Sequence, residues 1–239
     1  MIFNKQEVNK LINQRVITQE KKDIPEFTSL CIDIESNGTP FMIGIKVVYV
    51  SINAQSAKNR VKDIFVANLI LTDLLQDTNP NTNKKIELLR KDNPYSIIYI
   101  TSDMLISYIA NLIQRYNITK CIGYEMQNDI WQLIDIANKI QDKSLEKLLN
   151  LDFINVKQVA IDYLQAHPYS LKRYKKSFKK ISMALENTCK FFLKRKQTHL
   201  ANKDINDTTE LFNKLVSNLS YIVFNNFTNI GYQKKVNSF

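Results

Sequence analysis

The chain has 239 residues, 44% of them hydrophobic, enough for one large folded domain and too many for wholesale disorder. Lysines and arginines outnumber acids 33 to 23, and the resulting net charge of +10 favours polyanionic partners. The opening MIFNKQEVNKLINQ lacks an apolar segment followed by a small-residue cleavage site, and no apolar run is long enough to cross a bilayer, so neither a signal peptide nor a membrane partner is expected.

Residues 1–28 read as an N-terminal helical extension, with Val8, Leu11, Ile12 and Val16 at helical spacing. The next stretch, Ser29 to Gly38, is an apolar run that carries two carboxylates and breaks at a glycine. On a strand, alternate side chains share a face, so Asp33 and Glu35 point one way while Ile32 and Ile34 point into a core. Two carboxylates aimed at one point repel each other unless a cation lies between them, and hard divalent ions take oxygen ligands. The same pair also suits a solvated strand face. Phe41 to Val50 and Val61 to Leu71 are rich in β-branched residues and complete an antiparallel meander. Residues 72–95 have the composition of an insertion at the edge of the core, with one short helical piece at 84–91.

A short strand is expected over Ser96–Ile100, followed by a helix over 103–116 capped by Ser102. Thr119–Tyr124 reads as a strand, and helices follow over 129–140 and 143–149. Asp129 opens the first of these, where a plain first-turn acid would complement the helix dipole. Residues 151–166 fit no single period, and His167-Pro168 breaks them, with His167 read as a turn residue. From His167 to Lys196 the chain holds ten lysines and arginines against the single acid Glu186. Tyr169, Tyr174, Phe178, Phe191 and Phe192 are interleaved with them, so cations for phosphates stand beside faces for unpaired bases. The alternative is a solvated helix whose aromatics face the core.

The last helix is expected from Asp204 or slightly earlier to about 217, and Asp207 with Glu210 offers a rival start of capping-box type. Five residues along one helix turn it by about 140°, so His199 converges with Asp204 only from the loop before the helix. Residues 218–239 are an Asn-rich tail. Cys31, Cys121 and Cys189 cannot all pair with one another, and as buried free thiols they fit a reducing, cytoplasmic setting. Strands followed by alternating helices and strands indicate an α/β layered domain with a mixed sheet.

Three of these stretches resemble a family. Asp33-Ile34-Glu35-Ser36-Asn37-Gly38 is similar to the first motif of the DEDDh 3′-5′ exonucleases, the proofreading-exonuclease superfamily. Gly123 to Leu133, with Asp129, resembles the second, and His199-Leu200-Ala201-Asn202-Lys203-Asp204 the third. A tyrosine-type relative would carry tyrosine at position 200, which is Leu. The motifs stand in the family's order over about residues 29–217, the span of an exonuclease-like domain with its insertion near 72–95. Ser36-Asn37 replaces the usual threonine pair, Tyr124-Glu125 stands where His-Asn is common, and Ile205 follows Asp204 where a small residue is usual.

The resemblance implies a ribonuclease-H-like fold, a mixed β-sheet flanked by helices. Asp33, Glu35, Asp129 and Asp204 would hold two Mg²⁺ or Mn²⁺ ions, and His199 would take a proton from the attacking water. It implies hydrolysis of phosphodiester bonds at single-stranded 3′ ends of DNA or RNA. Lys172, Arg173, Lys175, Lys176, Lys179, Lys180 and Tyr124 would contact the nucleic acid. No motif for a protein partner stands out. Two other readings compete with this one: a catalytically silent nucleic-acid-binding module on the same fold, and a basic globular protein without nuclease ancestry.

Overall fold

The computed structural model describes residues 3–6, 17–75, 79–92, 96–178, 182–197 and 199–225. Among these, eight strands form one sheet: β1 (Ile17–Glu20), β2 (Phe27–Ser36), β3 (Pro40–Val50), β4 (Val61–Leu71), β5 (Ile97–Ile100), β6 (Lys120–Gly123), β7 (Asp152–Asn155) and β8 (Tyr221–Asn225). Their spatial order is β1-β8-β7-β6-β2-β3-β4-β5. The long strands β2, β3 and β4 pair antiparallel as the expected meander. β6 runs parallel to β2, and β7 parallel to β6. The central five strands thus follow the order 5-4-1-2-3 with the second antiparallel, which is the ribonuclease-H-like arrangement.

Among the described residues, six longer helices cover the sheet: α1 (Pro80–Asp92), α2 (Ser102–Arg115), α3 (Gln127–Ile140), α4 (Val156–Ala166), α5 (Pro168–Ser177) and α6 (Ala201–Val216). The alternation along β2 sorts its side chains between two layers. Leu30, Ile32 and Ile34 join Leu105 and Ile109 of α2 and Ile130 and Leu133 of α3 in one core. Each such side chain, fully buried, contributes roughly 1.5–3 kcal/mol. The second core gathers Val48, Ile122 and Ile154 with Val159 of α4 and with Leu211 and Phe212 of α6. Cys31 faces α6, its Sγ 3.9 Å from the carbonyl oxygen of Ile205, so Asp33 and Glu35 open on the α6 side as well.

Several expectations are corrected. Residues 151–166 fit no single period because they are two elements: Asp152–Asn155 is a strand, and α4 follows directly. Asn155 is the hinge between them, its side chain accepting from the Lys157 amide at 3.1 Å. Ser102 is not the cap of α2 but its first residue. Its amide and hydroxyl donate to Asp73, at 2.8 and 2.5 Å. Tyr221–Asn225 is a strand rather than tail, and it pairs antiparallel with Ile17–Glu20. Both strands are too short to show a period, and their partners are distant in sequence. The helix expected around Val8, Leu11, Ile12 and Val16, most of the tail beyond Asn225, and Lys179 and Lys180 lie outside the described residues.

Candidate metal centre

The frame places three chain-distant segments at one spot. One carboxylate oxygen from each of Asp33, Glu35 and Asp204 lies within 4.8 Å of the other two. Asp33 and Glu35 arrive there by strand alternation on β2. Asp204 arrives on the first turns of α6, which starts at Ala201 with no side-chain cap. That start is three residues earlier than Asp204. The rival start at Asp207 is not used, because Asp207 is buried inside α6 and binds Arg195, whose Nε donates to Oδ1 at 2.8 Å. Glu210 pairs with the same guanidinium at 2.7 Å.

Asp129 comes from a third direction. β6 pairs with β2 only at Ser29 and Leu30, so further along β2 this edge has no strand partner. The Ile34 amide there donates to Asp129 Oδ1 at 3.2 Å. Asp129 therefore serves β2 rather than capping its own helix, whose cap position is Met126.

The electrostatics are those of crowded anions. Burial pushes the Asp33 carboxyl well above the usual carboxylate range, and repulsion from Asp129, Asp204 and Glu35 adds to it. Burial raises Asp129 to about 7, against the hydrogen bond from Ile34. Asp204 is raised to about 6, mainly by burial, while a hydrogen bond from Gln197 and the nearby His199 pull it down. Asp204 Oδ1 is buried without a hydrogen-bond partner. A buried, unpartnered carboxylate oxygen on an acid that meets two further carboxylates fits an oxygen-ligated divalent cation.

These shifts carry a pH signature. Asp129 and Asp204 ionise near 3.8 when unfolded and higher when folded, so the folded chain binds more protons in between. The stability they contribute is full below the unfolded value and is lost as pH rises through about 6 to 7. In EDTA the melting temperature of the wild type should fall, relative to Asp129→Asn, between about pH 4 and about pH 7. Saturating Mg²⁺ should remove the difference in slope. Parallel curves in EDTA would mean that Asp129 is not raised.

His199 sits on the loop before α6, exposed, with a left-handed φ of 52°. It lines an open cleft of about 480 Å³ with Asn37, Phe41, Lys84, Lys85 and Leu200. The 72–95 segment is more than an insertion at the core's edge. Its helix α1 packs Ile86 and Leu89 against Phe41, Met42, Ile70 and Ala201, and Lys85 Nζ forms an ion pair with Glu35 Oε2. Sequence reasoning missed Lys85 and Gln197, and no local pattern marks either residue.

The nucleic-acid candidates fare unevenly. Lys172, Arg173 and Lys176 are exposed on α5, and Lys175 is half-buried there. The aromatics largely take the alternative reading. Tyr174 lies 4.9 Å, centroid to centroid, from both Phe178 and Phe191, and Phe191 lies 4.9 Å from Phe192. Only Tyr169 of that set is strongly exposed, at 74%. Tyr124, expected to contact nucleic acid, uses its hydroxyl internally: it donates to the Met183 carbonyl and lies 2.8 Å from Thr188 Oγ1. That bond ties the loop after α5 to the end of β6. His167 is the residue between α4 and α5, stacked on Tyr163 with ring centroids 4.3 Å apart.

No protein-family model and no curated protein matches the chain. Among solved structures, the HK97 bacteriophage large terminase is similar over 90% of this chain and 43% of its own, at 11% identity and a TM-score of 0.35. This chain thus spans less than half the length of that protein. No helix among the described residues is long and apolar enough to cross a membrane.

Proposed function

We infer that the chain is a metal-dependent 3′-5′ exonuclease of DEDDh type, hydrolysing phosphodiester bonds at single-stranded ends of DNA or RNA. The observation that carries this reading is the meeting of Asp33, Glu35 and Asp204 within 4.8 Å, with Asp129 beside them on Ile34. Clustered acids that raise the proton affinity of Asp33, Asp129 and Asp204 and leave Asp204 Oδ1 unpartnered would have little reason to converge without a cation. When bound there, a pair of divalent ions polarises the phosphate and makes water a better nucleophile. Asp33, Glu35 and Asp204 are the residues that would hold them, with Asp129 steadied by the β2 backbone. His199 lines the cleft beside the acids, where its imidazole can accept the proton of the attacking water. The cleft has room for a terminal nucleotide, with Phe41 as an apolar wall and Asn37 and Lys84 as polar contacts.

A second reading, the catalytically silent binding module, is favoured by one observation: Lys85 already pairs with Glu35. Digestion of end-labelled single-stranded and duplex DNA and RNA in Mg²⁺ decides between them. The exonuclease shortens 5′-labelled strands one nucleotide at a time, and Asp129→Ala abolishes the ladder. A wild type that binds the strands and leaves them intact would establish the silent module.

His199→Ala supplies a separate check on the proton acceptor. Turnover should fall by roughly 10²-fold, with affinity for the strand nearly unchanged. Equal losses in both would make His199 a structural residue.

A further inference from the structure

Helix α1 is the element that the sheet and its covering helices do not require. Its apolar side docks on β3 and α6 through Ile86 and Leu89, and at its far end Asp92 pairs with Lys203 of α6 at 2.9 Å. This double anchorage fixes Lys85 over the acidic cluster. The pair it makes with Glu35 is shielded, with side-chain exposures of 32% and 13%. An ammonium in that position cancels part of the repulsion among the clustered carboxylates. Lysine nonetheless brings a single charge on a flexible stem and leaves Asp204 Oδ1 without a partner. A divalent ion takes several oxygen ligands at once and would engage Glu35 and Asp204 together. Glu35 cannot serve Lys85 and such an ion equally well.

We propose that Lys85 is a displaceable internal cation: it neutralises Glu35 in the metal-free chain, yields that carboxylate to a divalent ion, and then meets a phosphate of the nucleic acid in the adjoining cleft. This rests on the metal-centre reading above. Lys85 already lines the cleft that His199 and Lys84 border, so the released ammonium has an anion site within reach of its own stem. The consequence is a coupling between two ligands. Metal binding frees the ammonium for phosphate, and by reciprocity nucleic acid tightens metal binding.

The test uses the full chain, with Mn²⁺ binding followed by the paramagnetic resonance of the free ion. Binding of a fluorescein-labelled oligothymidylate is followed by anisotropy in EDTA and in Ca²⁺. Lys85→Met should bind Mn²⁺ about fivefold more tightly than wild type, because the competing cation is gone. Its gain in oligonucleotide affinity on adding Ca²⁺ should be smaller than that of the wild type. Lys85→Arg keeps the charge and should behave as wild type in both assays. Equal or weaker Mn²⁺ binding by Lys85→Met would overturn the displacement, and if the wild type itself binds Mn²⁺ the metal-centre reading survives. Mn²⁺ binding by Lys85→Met alone would make the lysine a permanent plug and end the proposal. No Mn²⁺ binding by any of the three proteins would end both readings.

Discussion

Asp33→Asn should abolish Mg²⁺-dependent cleavage and, in the same protein without metal, raise the melting temperature. The two effects have one origin. Asp33 is the acid on which the others press hardest: burial, then Asp129, Asp204 and Glu35, all raise its proton affinity, and only Lys85 opposes them. An amide of the same shape removes a charge that the metal-free fold holds against repulsion. The gain should be about 1–2 kcal/mol at neutral pH. It should shrink towards acid pH, where the raised carboxylates are protonated in the folded chain and the repulsion is already relieved. Losing a carboxylate that would ligate the ions should lower turnover by about 10³-fold or more, since Lewis-acid stabilisation of this kind is worth several kcal/mol. Full activity in Asp33→Asn would remove Asp33 from the chemistry. A lowered melting temperature in EDTA would mean that its carboxylate is a structural partner rather than a group held at a cost.

What the sequence made legible was governed by distance along the chain. The β2–β3–β4 meander was readable because each strand is long and its β-branched content is local. The face carrying Asp33 and Glu35 followed from alternation alone. Helix geometry required a loop position for His199 if it was to meet Asp204, and it does stand exposed before Ala201. Features set by distant partners stayed hidden. β1 pairs with β8 across about two hundred residues and β8 also pairs with β7, and neither β1 nor β8 shows a pattern by itself. Asp129 reads as an ordinary first-turn acid, and nothing nearby indicates that its partner is the Ile34 amide. Lys85 is one of several lysines in a polar segment, and its pairing with Glu35 depends on how Ile86 and Leu89 seat α1. The aromatics among the basic residues were misleading for a related reason: composition records which side chains stand together but not which side of the helix faces the core.

Gly44→Ala should damage the site without touching any of its acids. Gly44 lies on β3 directly opposite Asp33. A Cβ there would sit 2.6 Å from the carbonyl oxygen of Ala201, 2.7 Å from its carbon and 3.1 Å from the Asn202 nitrogen. These are backbone atoms of the first turn of α6, so no side chain can swing aside. The helix start must retreat by on the order of 1 Å to restore ordinary contact. Alanine is the better strand residue by about 0.5–1 kcal/mol, but overpacking against backbone costs about 1–3 kcal/mol, so the net effect should be destabilising. Asp204 rides on that same turn, and the retreat draws its carboxylate away from Asp33 and Glu35. A displacement of that size typically costs roughly 10²-fold in rate. Gly38→Ala separates positioning from general destabilisation. Gly38 has a φ of 79°, and a Cβ there would meet nothing within 4 Å. Alanine there should cost about 1–2 kcal/mol in backbone strain alone. Digestion assays and melting curves on both variants should give comparable losses of stability, with turnover collapsing only in Gly44→Ala. Wild-type turnover in Gly44→Ala would show that the seat of α6 on β3 does not set the geometry of the acids.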